Sequence, residues 1–296
     1  MWRYARCSKW WSKKQRAPKF FLIASVFVFC TMSFTASAQK ADSLLLKMLD
    51  ACDRLKTARY VLYKTEKLKT GGTMNSELIV KLNVNPFKVY VYSIKPNPAA
   101  EAMFRAGENK NEVLVHPNRF PYMNLSLAPD NFLLREHQHH SIRELGFTYV
   151  AGLLRRSLPL SPNARVTLDG ETEFDHRQCY ILSVENPDFI LKDYYVQKGE
   201  DIIAIARKLG LSEYMILCYN KGMKEYNDVR PGQRIKIPSS YARKINLYVD
   251  KITLLPLMQA VYDDKDLFER YEYHSFVVNP LFKPEEFTPK FQGYGF

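Results

Sequence analysis

The chain has 296 residues, 46% of them hydrophobic and 14% aromatic. Such a composition builds real cores and excludes the disordered class, and the length suits one or two domains. The formal charge is +12, but the basic residues form no stripe along the chain, so nucleic-acid binding is not expected.

Residues 1–19 hold seven Lys or Arg and no acid; the apolar run FFLIASVFVFCTMSFTA and then Ala36-Ser37-Ala38 follow. A basic start, an apolar middle and a small-x-small end are the pattern of a secretory signal peptide, here cleaved after Ala38. An uncleaved anchor is the alternative, but a run of about 17 residues is short for a span. Cys30 lacks the small preceding residues that lipid attachment needs. Losing seven of the 43 basic residues and none of the 31 acidic ones leaves +5. That mild excess allows at most weak attraction to anionic wall polymers or head groups. A periplasmic location is expected, with no retained transmembrane segment.

Cys52, Cys179 and Cys218 remain after the leader, an odd number for an exported chain. One bridge, such as Cys52–Cys179, or three buried thiols both fit. The apolar pattern around each favours thiols.

Residues 41–56 place Leu44, Leu45, Met48, Leu49, Cys52 and Leu55 on one helical face. Strands follow: ARYVLYKTEKL and NSELIVKLNVN flank Gly71-Gly72, then come FKVYVYSI, AMFRAG and EVLVHP. Leu78, Val80, Leu82 and Val84 alternate with Ile79, Lys81 and Asn83, so one face is apolar. From about Tyr122 the spacing turns helical, and Gly146 divides that segment into two expected helices. Strands return with ARVTLDGETEF and RQCYILSVEN, and again with RKINLYVD, LPLMQAVYD and LFERYEYHSFVVNP before an aromatic tail. This order predicts an α+β fold: a curved antiparallel half-barrel of about eleven strands, its hollow covered by helices.

One stretch breaks the strand pattern. From Tyr194 the chain reads strand YYV, turn QKGED, helix IIAIARKLG, helix SEYMILCYN, a loop, then strand RIKIP. Gly210 stops the first helix and Ser212 caps the second. YYVQKGEDIIAIARKLGLS, the helix-ending YN and VRPGQRIKIP resemble the LysM domain. The resemblance spans the whole βααβ module, with Gly199-Glu200-Asp201-Ile202 standing for the usual Gly-Asp-Thr-Leu and Lys221 for the usual proline. It implies binding to peptidoglycan and other polymers containing N-acetylglucosamine. The groove carried over would be Gly199, Glu200, Asp201, Ile202, Asn220, Lys221, Gly222 and Met223, with Ile202 or Met223 covering the acetamido methyl. Structural roles as turn, core and helix-end residues stand beside that reading.

NLYVDKITLLPLMQAVYDDKDLFERYEYHSFVVNP is similar to the lipoprotein carrier LolA and its relatives. HHSIRELGFTYVAGLL and RQCYILSVENP are similar to an uncharacterised group of exported bacterial proteins near that fold. The implied organisation is a signal peptide over 1–38, a LolA-like domain over 39–192 and 241–296, and a LysM domain over 193–240 between two neighbouring strands. In such folds the hollow takes acyl chains. Here Leu78, Val80, Leu82, Val89, Val91, Leu255, Leu257 and Val261 would line it, unless they simply form a closed core.

Chemistry is sparsely signalled. His137, His139 and His140 form the only histidine cluster, read as a solvated helix face rather than a metal site. Glu285-Glu286 diverge in direction, and His176 and Cys179 fall on opposite strand faces. No hydrolase, zinc-protease or phosphate-loop motif occurs, and no catalytic residue, cofactor or metal is expected. The function expected is non-catalytic binding: peptidoglycan through the LysM module, and a lipid, lipoprotein acyl chain or protein through the half-barrel. A wall hydrolase targeted by LysM and an envelope scaffold are the alternatives.

Overall fold

A computed structural model describes residues 39–296 apart from Pro121. The expected leader over 1–38 therefore lies outside the described residues. Helix α1 spans residues 39–54. Strands β1 (Thr57–Lys67), β2 (Thr73–Asn83), β3 (Lys88–Lys95), β4 (Glu101–Arg105), β5 (Val113–His116) and β6 (Leu125–Leu127) form an antiparallel meander. Helices α2 (Phe132–Arg135) and α3 (Phe147–Ser157) follow, and β7 (Arg165–Phe174) and β8 (Arg177–Glu185) return to the sheet. The final strands β11 (Lys244–Asp250), β12 (Pro256–Tyr262) and β13 (Leu267–Val278) close the order β6-β5-β4-β3-β2-β1-β13-β12-β11-β8-β7. The first and last strands of this list do not pair, so the curved sheet stays open as a half-barrel.

The concave face is apolar by period-2 alternation. Tyr60, Leu62, Val80, Leu82, Val89, Val91, Leu247 and Leu257 point inward and are buried. α1 and α3 fill the hollow: Met48 and Cys52 from one helix and Phe147, Ala151 and Leu154 from the other join the same core. A sheet this curved cannot fill its own hollow, so helices supply the missing apolar volume. The convex face of β2 and β3 is covered by the C-terminal tail, where Tyr294 stacks on Tyr90 with ring centroids 3.8 Å apart.

Between β8 and β11 lies the insert. β9 (Leu191–Tyr195) and β10 (Arg234–Pro238) pair with each other in a separate two-stranded sheet, with α4 (Ile202–Leu209) and α5 (Glu213–Tyr219) between them in sequence. β8 and β11 pair directly, from Glu185 with Lys244 to Cys179 with Asp250, so the insert leaves and rejoins the sheet at adjacent strand ends. Asp201 caps α4 by accepting from Ala204 N at 2.7 Å, Gly210 ends it at φ 67°, and Ser212 caps α5.

Two sequence expectations are corrected here. The segment before Gly146 is not a helix: α2 makes a single turn, and only residues 142–144 add a short 3₁₀ turn. The solvated histidine face is also wrong. His139 is fully buried, and only His137 of the three is well exposed. Both errors have one cause. The polar side chains of this segment find long-range partners on β1, β13 and the insert, which outweigh local helical spacing.

All three cysteines in the described residues are free. Burial pushes the Cys52 thiol up to about 12 and those of Cys179 and Cys218 up to about 11. They are protonated, unreactive thiols at neutral pH.

Candidate binding sites

The half-barrel encloses a cavity of about 390 Å³ between its concave face and the segment carrying α2 and α3. Volumes of roughly 300–1,000 Å³ are usual for small-molecule sites. Leu78, Val91 and Val115 from the sheet and Leu145, Val150 and Leu153 from the covering segment make apolar walls. Asn97, Arg119 and Leu133, all exposed, mark the solvent side. Of the residues expected to line a hollow, Leu78, Val91 and Val261 do so. Val80, Leu82, Val89, Leu255 and Leu257 lie instead in the closed core under the helices. The hollow is thus part core and part cavity.

The floor of the cavity is polar. Period-2 alternation puts Lys64 and Glu66 of β1 on the face that carries Tyr60 and Leu62, and Glu269 and Tyr271 of β13 on the face that carries Tyr273. Lys64 Nζ lies 2.9 Å from Glu66 Oε2. Tyr271 donates its hydroxyl to Glu66 Oε1 at 2.5 Å, and Tyr241 donates to Glu269 Oε1 at 2.7 Å. His139 Nδ1 is 2.8 Å from Glu269 Oε2, and its Nε2 is 2.8 Å from the Lys67 carbonyl. His140 Nε2 is 3.2 Å from Glu269 Oε2, while its Nδ1 stands 3.6 Å from Glu144, an ion-pair distance rather than a hydrogen bond.

Electrostatics in this network follow from pairing. Burial alone would lower the His140 imidazole, but the Glu269 and Glu144 carboxylates override it and hold its pKa at about 10. Burial alone would raise Glu66 and Glu269; Lys64 and His139 override it at Glu66, and His140 and His139 at Glu269, so both sit below the usual carboxylate range. Burial, then Glu269, pushes the Tyr241 and Tyr271 phenols well above their ordinary value. Sequence reading missed these residues. The available signal was a charge on the apolar register of a strand, at Lys64, Glu66 and Glu269. Among the described residues no group of three or more acidic, histidine or cysteine side chains is arranged to hold a metal.

The insert has its own core, built from Val196, Ile202, Ile205, Ile216, Ile235 and Ile237 among others. Its other side is docked. Tyr214 and Met215 of α5 belong to the main core, and the Tyr214 ring stacks on His139 with centroids 4.3 Å apart. Arg135 Nη2 donates to Glu213 Oε1 at 2.9 Å, with both side chains buried. The insert therefore has a core of its own and one face packed on the half-barrel.

Most of the expected groove residues have internal work. Glu200 accepts from Lys208 Nζ at 2.8 Å, Gln197 N at 2.9 Å and the Tyr194 hydroxyl at 2.7 Å. Those bonds hold its carboxyl at about 2. The Asn220 carboxamide joins α5 to β10, donating to Ile216 O and Lys236 O and accepting from Lys236 N at 2.9 Å. Ile202 and Met223 are buried in the insert's core, so their side chains do not face solvent. Gly199, Lys221 and Gly222 are exposed. Ile202 N donates to Tyr226 O at 2.9 Å, which holds the first turn beside the loop after α5. The two loops of the expected groove are thus adjacent, with exposed backbone.

Comparison with known families assigns this unit. Residues 194–238 match the LysM domain model over nearly the entire βααβ unit. This segment is a LysM domain. Residues 56–198, the half-barrel up to the start of the LysM domain, match DUF1571, a family of proteins of unknown function. No curated protein matches the chain significantly. Among solved structures, a DUF1329 family protein from Desulfovibrio piger is 11% identical, with 85% of this chain and 97% of that chain covered and a TM-score of 0.35. The MucA/MucB complex of Pseudomonas aeruginosa matches at 12% identity over 84% of this chain and 60% of that one, with a TM-score of 0.41. A LolA-superfamily protein from Nitrosomonas europaea is 10% identical over 81% and 94% of the two chains, with a TM-score of 0.31. These are likenesses of fold and say nothing of function. No helix among the described residues is long and apolar enough to cross a membrane.

Proposed function

We propose that the protein is an exported, periplasmic, non-catalytic binding protein that holds an apolar ligand in its half-barrel and attaches to peptidoglycan through its LysM domain. In this reading residues 39–192 and 241–296 are one domain and 193–240 a second one, docked on it. The observation that carries it is an apolar-walled cavity of about 390 Å³ in the same chain as a LysM domain. A cavity of that size accommodates a single acyl chain rather than a bulky multi-chain anchor.

The glycan contact would be made by backbone groups of the two adjacent loops, at Gly199, Glu200, Asp201, Asn220, Lys221 and Gly222, with Ile202 and Met223 supporting them from below. A surface that buries so little area binds weakly, on the order of micromolar to millimolar.

Co-sedimentation with purified peptidoglycan sacculi tests the anchor. Gly222 has open space where a Cβ would sit, so a side chain can start there without a clash, and Gly222→Trp should block the groove. The wild type is expected in the pellet and this variant in the supernatant; equal sedimentation of both rejects the site. Native mass spectrometry of protein purified from its own envelope tests the cavity, with a bound lipid expected.

A further inference from the structure

The cavity floor shows a pattern that an apolar-ligand site does not need. Pairing registers align Ser76 of β2 with Lys64 of β1, Lys64 with Tyr271 of β13, and Tyr271 with Gln259 of β12. This is one polar row crossing four neighbouring strands, flanked by the apolar row of Leu78, Leu62, Tyr273 and Leu257. With strands roughly 4.8 Å apart, the row is about 14 Å long on a flat sheet and shorter on a curved one.

The charged groups at the floor itself pair with one another. Lys64 pairs with Glu66 at 2.9 Å, and His139 and His140 share Glu269 at 2.8 and 3.2 Å. Apart from His140 Nδ1, which faces Glu144 at 3.6 Å without a hydrogen bond, the groups left open are neutral. Ser76 and Gln259 are 6% and 7% exposed and line the cavity, yet neither side chain has a hydrogen-bond partner among the described residues. Tyr149 of α3 lines the cavity opposite, its ring 5.2 Å from that of His140, and its hydroxyl is likewise unpartnered among the described residues. Buried polar groups are almost always satisfied, and open ones at a cavity wall mark where a ligand's polar atoms go.

From this juxtaposition we infer that the cavity binds an amphiphile with one acyl chain and an uncharged, hydroxyl-rich head, glycerol- or sugar-like, seated on the Ser76–Gln259 row under Tyr149. The inference rests on the apolar-ligand reading above and adds the class of head group. A charged head would have to compete with the ion pairs already made at the floor, and would otherwise carry the desolvation cost of an unpaired buried ion. A hydroxyl-rich head both donates and accepts, as the amide and the two hydroxyls require.

The test uses the purified protein and a fluorescent apolar probe displaced by dodecyl ligands of matched chain length: monododecanoylglycerol, dodecyl glucoside, methyl dodecanoate, dodecanoate and dodecyltrimethylammonium. The two hydroxylated ligands are expected to bind about tenfold tighter than the methyl ester, the size of one or two hydrogen bonds to neutral partners. Their relative order tells a glycerol from a sugar source. Dodecanoate and dodecyltrimethylammonium should bind weakest. Gln259→Leu and Ser76→Ala should each bring the hydroxylated ligands toward the methyl ester while leaving the ester unchanged. Ser76→Ala carries the comparison if Gln259→Leu fails to fold. Ester and hydroxylated ligands binding alike, a charged ligand binding tightest, or both variants keeping the preference would overturn the head-group assignment but leave the apolar cavity intact. Failure of every chain-bearing ligand to displace the probe would overturn both readings.

Discussion

Arg135 of the half-barrel and Glu213 of the LysM domain form an ion pair of 2.9 Å with side chains only 2% and 6% exposed. The Arg135 guanidinium also lies over the Tyr226 ring, 4.9 Å from its centroid, and donates to the Tyr226 hydroxyl at 3.2 Å. The two units are therefore clamped by a desolvated charge pair as well as by the apolar contact of Tyr214 and Met215.

Breaking one side of this pair leaves a buried charge alone. Arg135→Met or Glu213→Leu alone is expected to cost about 3–5 kcal/mol, whereas the double variant should be close to neutral. Urea unfolding of the three variants checks this. A double variant as unstable as the sum of the singles would show that the charges are not a pair in solution.

Stability should depend on pH on both sides of a plateau. Glu66 and Glu269 have folded pKa values below the ordinary 4.5, so their contribution is present above that pH and is lost as the pH falls further. His140 is raised from 6.5 to about 10, so its contribution is complete below 6.5 and fades as the pH rises through 10. Denaturation midpoints across pH 3–10 should therefore be highest between about 4.5 and 6.5. Glu269→Gln, which removes the shared carboxylate, should flatten both limbs. An unchanged profile in that variant would refute the role of the network.

Gly146 caps α3 at φ 104°, and a Cβ there would stand 2.6 Å from Leu82 Cδ2. Gly146→Ala should cost about 1–3 kcal/mol through backbone strain and that clash. Combined with Leu82→Ala, the clash disappears and the strain remains, so a double-variant cycle should show favourable coupling. Strict additivity would place the whole cost in the backbone.

The tail grips the convex face through several kinds of contact. Lys81 pairs with Glu286 at 2.8 Å, Gly295 N donates to Glu101 Oε1 at 2.7 Å, and Tyr90 stacks on Tyr294. Tyr294→Ala should lower stability by about 1–2 kcal/mol. Removing residues 279–296 should do more and promote association, because Tyr90 becomes exposed. Calorimetry and light scattering together read both effects.

Regular periodicity was the readable part of this chain. The face of α1, the concave side of β2 and the caps at Gly210 and Ser212 follow from spacing within a few residues, whereas the pairing of β8 with β11 is implied by the family resemblances. What spacing could not show is where a polar side chain finds its partner. His139 is joined to Glu269, 130 positions away, and stacks on Tyr214 of the LysM domain. Nothing local distinguishes that histidine from a solvated one. β6 is three residues long, too short for any alternation to register. Ile202 and Met223 read equally well as groove or core, and only packing decides: both are buried in the LysM core.

The seam at the insertion point carries an evolutionary consequence. Asn186 N donates to Arg243 O at 2.8 Å, so the chain departs from and re-enters the sheet within a single rung. A gene could have gained this segment there in one step without shifting any strand. Losing it again would be harder. Tyr214 and Met215 now serve the host's interior, and excision would uncover that core and strand His139 beside water. The insert is thus a structural dependency of the half-barrel as well as an appendage to it.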